Sequence, residues 1–130
     1  MRPIKIFLSL FIIIISSVTS IQAQTIDCKK FKNGTFKMTF EGKNGIIKRY
    51  GAIQEEYLNG EGKPTMTFAV KWLSNCTYTL TPTAATRKSF PDIPKEGLMT
   101  VNIVHTTSNS YSYSAKYSWD KKNIYKNVLT

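Results

Sequence analysis

The run Thr65-Met66-Thr67-Phe68-Ala69-Val70-Lys71-Trp72-Leu73-Ser74-Asn75-Cys76-Thr77-Tyr78-Thr79-Leu80 decides the fold. Met66, Phe68, Val70 and Trp72 are large and apolar at every second position, with smaller or polar residues between most of them. A period of two puts alternate side chains on opposite faces of a strand, so these four share one face. Asn75 breaks the run before Cys76, Tyr78 and Leu80 resume the alternation. The segment therefore reads as a β-hairpin in which Trp72 fills core volume on one side.

The same rhythm extends outward. Upstream, Phe36, Met38 and Phe40 alternate with Thr35, Lys37 and Thr39. Ile47 and Arg49 lead into a turn at Gly51, Ile53 to Tyr57 resumes, and Asn59-Gly60-Glu61-Gly62 is a strong turn signal. Downstream, Pro82 to Gly97 is an irregular, proline-bearing link with one helical turn expected near Thr83 to Lys88. Met99, Val101, Ile103 and His105 then alternate, followed by Tyr111, Tyr113 and Tyr117, and a last strand is expected from Asn123 to Val128. There is no long amphipathic helix and no coiled-coil heptad. About eight short strands joined by hairpin-length turns predict an all-β, antiparallel up-and-down meander. Closing such a sheet into a small barrel removes its exposed edges. A two-layer β-sandwich is the alternative, which periodicity alone does not separate from a barrel.

The first residues read differently. Arg2 and Lys5 precede an apolar run from Ile6 to Ile15 broken only by Ser9, and a stretch of mostly small and polar residues follows to Ala23. This is the pattern of a signal peptide over residues 1–23, cut after Ala23 or, alternatively, after Ser20, leaving one domain over 24–130. A bilayer span needs about 20 apolar residues and this run has roughly half that, so no membrane span is expected after cleavage. Lipid attachment at Cys28 is disfavoured by Asp27, which stands where a small side chain is needed. The protein is expected to be secreted or periplasmic. Residues 1–23 carry two of the 18 basic side chains and none of the 8 acidic ones, so the remainder has a net charge of about +8.

Export places Cys28 and Cys76 in an oxidising compartment, where a disulfide between them is the expected pairing. It would close a loop of nearly 50 residues, worth roughly 4 kcal/mol in the chain-entropy account. There is no C-x-x-C pair and no activating histidine beside either cysteine. His105, the single histidine, sits on an alternating strand, and Glu55 and Glu56 point to opposite faces and form no carboxylate pair. Nothing has the spacing of a zinc or calcium site. The sequence thus supports neither catalysis nor a metal or other cofactor.

Three sets of residues resemble one family. They are Asp27-Cys28-Lys29-Lys30-Phe31-Lys32-Asn33-Gly34-Thr35-Phe36, Arg49 with Gln54 and Glu56, and the Trp72 to Leu80 hairpin. Together they resemble the small exported bacterial proteins of unknown function, many of them lipoproteins, whose shape is lipocalin-like. Some members have carried the label of a DNA topoisomerase subunit, an activity that one small exported domain has no room for. The chain departs from that pattern in lacking a lipidation box and in placing Glu55 where relatives tend to carry an apolar residue.

Gln54 and Glu56 share a strand face, and the turn at Gly51 can bring Arg49 opposite them. If that face looks inward, the set is either a strut or the polar end of a ligand site; if outward, an ordinary solvated pair. The resemblance implies the inward placement, with Arg49 and Glu56 within salt-bridge reach near Trp72. Arg49, Gln54, Glu56, Trp72 and Tyr78 are accordingly the candidate ligand-binding residues. The expected function is non-enzymatic binding of a small apolar or amphipathic ligand. The alternative is a structural or interaction protein of the envelope whose barrel is filled by its own side chains. The basic pairs suit contact with anionic envelope components. Tyr111, Tyr113 and Tyr117 read as a plain sheet face rather than as a platform for nucleic acid.

Overall fold

A computed structural model describes residues 26–58 and 62–130. The expected signal peptide and most of the Asn59 to Gly62 turn lie outside the described residues. The strands are β1 (Gly34–Phe40), β2 (Lys43–Tyr50), β3 (Ile53–Tyr57), β4 (Met66–Trp72), β5 (Thr77–Pro82), β6 (Met99–Thr106), β7 (Tyr111–Tyr117) and β8 (Asp120–Leu129). They form one sheet in which every strand pairs antiparallel with its neighbours in sequence, in the order β1 to β8. That order is the up-and-down meander read from the alternation. A single continuous sheet replaces the two-layer sandwich.

The sheet curls until its first and last strands meet. Lys37 N–H donates to the Thr130 carbonyl at 2.7 Å, and Thr130 N–H returns a bond to the Lys37 carbonyl at 3.1 Å. Beside them the Asn127 side-chain amide donates to the Thr39 carbonyl at 3.1 Å. The seam is thus fastened at one place, which makes the fold a curled, barrel-like sheet with a short zip.

Register sets the inner face. Phe36 opposes Ile47, Arg49 opposes Gln54, Gln54 opposes Phe68 and Glu56 opposes Met66. Further round, Val70 opposes Leu80, Tyr78 opposes Val101, Ile103 opposes Tyr113, and Tyr111 opposes Leu129. Each fully buried apolar side chain of this ring contributes about 1.5–3 kcal/mol.

Two irregularities re-aim side chains. Between Ile103 and His105 the register against β7 slips by one residue, so His105 opposes Ser112 and is exposed, not in line with Val101 and Ile103. A second shift, between Ala115 and Tyr117, gives β8 extra residues and lengthens it beyond the expected Asn123 to Val128. The link after β5 holds helix α1 (Ala84–Ser89), capped by the Thr83 hydroxyl accepting from Thr86 N–H, one residue later than the expected turn begins. Thr86 ties this helix to β4: its hydroxyl donates to the Thr67 carbonyl at 2.9 Å and accepts from Thr67 N–H at 2.8 Å.

Candidate functional site

One end of the barrel is filled. Cys28 and Cys76 are joined by a disulfide, with Cα atoms 5.2 Å apart, as expected from the sequence. The bridge anchors a short 3-10 turn, Lys29–Phe31, whose Phe31 ring plugs the barrel against Tyr111 (centroids 5.1 Å apart) and Phe36 (6.3 Å). The Phe31 carbonyl, at the end of that turn, has no partner within it. It accepts a hydrogen bond from Arg49 Nη1 at 2.9 Å.

Arg49 is the centre of this end and is 1% exposed. Its Nε donates to Gln54 Oε1 at 2.8 Å, and its Nη2 donates to the hydroxyls of Tyr78 at 2.9 Å and Tyr111 at 2.8 Å. The two hydroxyls also bond each other at 3.0 Å. The guanidinium lies 4.5 Å from the Tyr78 ring centroid and 5.2 Å from that of Phe36, so aromatic faces cover what hydrogen bonds leave. A charge is tolerated here because nearly every donor is used. Burial, with Tyr111 as the next cause, pushes the Tyr78 hydroxyl well above its ordinary range and keeps its proton in the network.

Gln54 passes the network onward: its Nε2 donates to Glu56 Oε1 at 3.0 Å. Arg49 and Glu56 are therefore coupled through an amide and not by the direct salt bridge expected from the sequence. The reason lies in the register, which puts Gln54 opposite Arg49 and Glu56 one inward position further along β3, opposite Ile47.

Glu56 marks the boundary with the other end, which is open. There a cavity of about 370 Å³ is lined by Glu56 at the polar side and by Met38, Met66, Met99, Tyr113 and Tyr117 among its walls. Trp119 and Tyr125 stand at its mouth, with the Tyr117 ring 4.7 Å from Trp119 and 4.9 Å from Tyr125. Gly97 lets Trp119 lie against the backbone: a Cβ there would meet the indole at 2.7 Å and the Pro94 carbonyl at 2.9 Å. The volume falls within the range of small-molecule sites, toward its lower end. Burial raises the Glu56 carboxyl above the ordinary range, with Gln54 and then Arg49 pulling it back. The Tyr113 and Tyr117 hydroxyls are raised by burial first and by the Glu56 charge next.

Of the five candidate residues, Glu56 lines this cavity, whereas Arg49, Gln54, Trp72 and Tyr78 are packed in the filled end. Trp72 packs against Tyr78 with the rings tilted and their centroids 4.6 Å apart, and carries Lys32 at 5.2 Å on its ring. Periodicity assigns a face to each side chain but not a height along the barrel, and the height separates the two ends. Met66, Met99, Tyr113 and Tyr117 belong to the alternating strand faces, and the sequence does not mark them out as lining a cavity. Their shared inward parity was the available signal. Phe90 and Trp119 reach the cavity from the link and from the β7–β8 turn, where alternation gives no guide, and Tyr125 reaches it from β8 beyond a shift of register.

A larger groove, about 700 Å³, runs beside the β1–β8 seam and is lined mostly by outward-facing residues such as Lys37, Thr39, Asn44 and Ile46. It lacks enclosing walls of apolar side chains and is the poorer candidate for a small-molecule site. Two of the basic residues also hold the fold together. Arg87 donates to the carbonyls of Pro82, Pro94 and Lys95 and thereby orders the link, and Lys30 donates to the Ser108 carbonyl at 3.0 Å. Among the described residues no group of histidine, cysteine and carboxylate side chains is placed to hold a metal ion, and no helix is long and apolar enough to cross a membrane.

No family model, curated protein or solved structure matches the chain.

Proposed function

We propose that this is an exported, non-enzymatic binding protein that takes a small, partly apolar ligand into the open end of its barrel. This is the function that the lipocalin-like resemblance implies. The observation that carries the reading is the division of the interior into a filled end and a cup. An eight-stranded barrel has room for its own side chains or for one small ligand. Here the Arg49 network and the Phe31 plug fill one half, and a cavity of about 370 Å³ occupies the other. The three methionines other than Met1 all line it. Flexible thioethers adapt to varied apolar shapes, which suits a binding wall better than a uniquely packed core. The disulfide fits an exported protein.

Titration with the neutral fluorophore N-phenylnaphthylamine tests the reading. Wild type should show saturable one-to-one enhancement, and Ala115→Phe should abolish it. Ala115 is buried in the cup wall, so the added ring takes up cavity volume. Equal enhancement in both proteins, with the variant folded, would remove the cup from consideration. The alternative, a structural or interaction protein of the envelope with a self-filled barrel, draws its support from the packed Arg49 end.

A further inference from the structure

We propose that the ligand of the cup carries a protonated amine, held at the Glu56 carboxylate between aromatic walls. The inference rests on the reading of the open end as a binding cup and adds the chemistry of its occupant.

Glu56 is the one carboxylate among the residues lining the cavity. Its Oε1 accepts from Gln54 at 3.0 Å, and its second oxygen has no hydrogen-bond donor from the described residues. That oxygen is not sealed in protein, because every sealed side-chain nitrogen or oxygen among the described residues has a partner. Glu56 lines the cavity, which puts its carboxylate within reach of an occupant. A carboxylate in apolar surroundings is costly unless a donor or a cation meets it. The nearest protein cation does not fill that place. Arg49 spends its hydrogen bonds on Gln54, the Phe31 carbonyl and the two tyrosine hydroxyls, on the far side of Gln54.

The balance of charge inside the cup follows from this arrangement. At Tyr113 the Glu56 carboxylate outweighs Arg49, raising the hydroxyl more than the guanidinium lowers it. The polar side of the cavity thus carries one carboxylate, Glu56, with Lys126 the one basic side chain in the lining, although the protein as a whole is basic. Tyr113, Tyr117, Trp119 and Tyr125 add ring faces, which attract an ammonium group through their quadrupoles. A ligand with an anionic head would have to turn that head away from Glu56, toward Lys126 at the mouth. An amine can place its charge on the free oxygen and its apolar part along Met66 and Met99.

Displacement of N-phenylnaphthylamine by octylamine, octanol and octanoate at neutral pH separates the outcomes, since the three share one apolar chain. Octylamine should compete on the order of tenfold more strongly than octanol, and octanoate more weakly than either. In Glu56→Gln the advantage of octylamine over octanol should fall to nearly nothing while octanol is unchanged. In wild type the same advantage should shrink as the pH is lowered and Glu56 takes up a proton, a readout that does not depend on the variant folding. Octanol binding as well as octylamine, or octanoate binding best, would overturn the amine while leaving the cup intact. If none of the three displaces the probe, the cup reading falls and the amine with it.

Discussion

Arg49→Ala removes a side chain that is 1% exposed and makes four hydrogen bonds to four elements of the chain, the 3-10 turn, β3, β5 and β7. The cost can be worked bond by bond. The Phe31 carbonyl and Gln54 Oε1 lose their donor, and a buried acceptor left without one costs about 1–3 kcal/mol. Tyr78 and Tyr111 lose less, because their hydroxyls keep each other at 3.0 Å. Glu56 loses the nearest positive charge. Together these give roughly 3–5 kcal/mol, the range for breaking a buried charged pair, against a total stability of about 5–15 kcal/mol. In a domain of this size each kcal/mol moves Tm by about 4–8 °C, so Tm should fall by at least about 12 °C. Urea unfolding followed by tyrosine and tryptophan fluorescence measures the change. A loss below about 1 kcal/mol, as for an exposed ion pair, would refute the strut. Arg49→Lys should recover only part of the loss, since one ammonium cannot replace a planar fork. Folded Arg49→Lys should still bind N-phenylnaphthylamine, because Arg49 lies outside the cup.

Tyr111→Phe should destabilise by about 1.5–3 kcal/mol, the worth of a hydrogen bond to a charged group, measurable in the same urea experiment. Reduction of the Cys28–Cys76 bridge should raise the intact mass by two hydrogens and cost about 4 kcal/mol of stability. Glu56→Gln should gain stability relative to wild type as the pH rises. The folded-state carboxyl is raised by burial, so the contribution of Glu56 is fully present below its ordinary range and is lost as pH climbs through the raised value. The difference between the two proteins should therefore vanish in mild acid, and a variant less stable at neutral than at acid pH, relative to wild type, would contradict the sign. Gly97→Ala should push Trp119 off the backbone, changing its fluorescence and weakening probe binding with the closed end unaltered.

Most strands were legible because large apolar residues recur at every second position, and Met66 to Leu80 shows how far that goes: the alternation gives the hairpin, its inward face and the place of Cys76. Alternation also puts Gln54 and Glu56 on one face, while their inward placement comes from the resemblance and not from the period. It could not show that Arg49 reaches the Phe31 carbonyl, since that contact depends on a 3-10 turn held by the disulfide. His105 was misaligned with Val101 and Ile103 because a one-residue bulge leaves no mark on a period of two until the partner strand is known. The cup escaped the sequence for a related reason. Phe90 and Trp119 come from irregular segments, and the height of each strand residue along the barrel follows from the stagger of eight strands.

The most direct measurement of the central claim is the response of the methionine methyl resonances of isotope-labelled protein to N-phenylnaphthylamine. Met38, Met66 and Met99 all line the cup and no other methionine lies beyond Met1. All three methyl signals should shift together and saturate at one equivalent, with no change at the ring signals of Tyr78 in the closed end. Methyl signals that stay in place while the probe binds would put the ligand elsewhere and contradict the account.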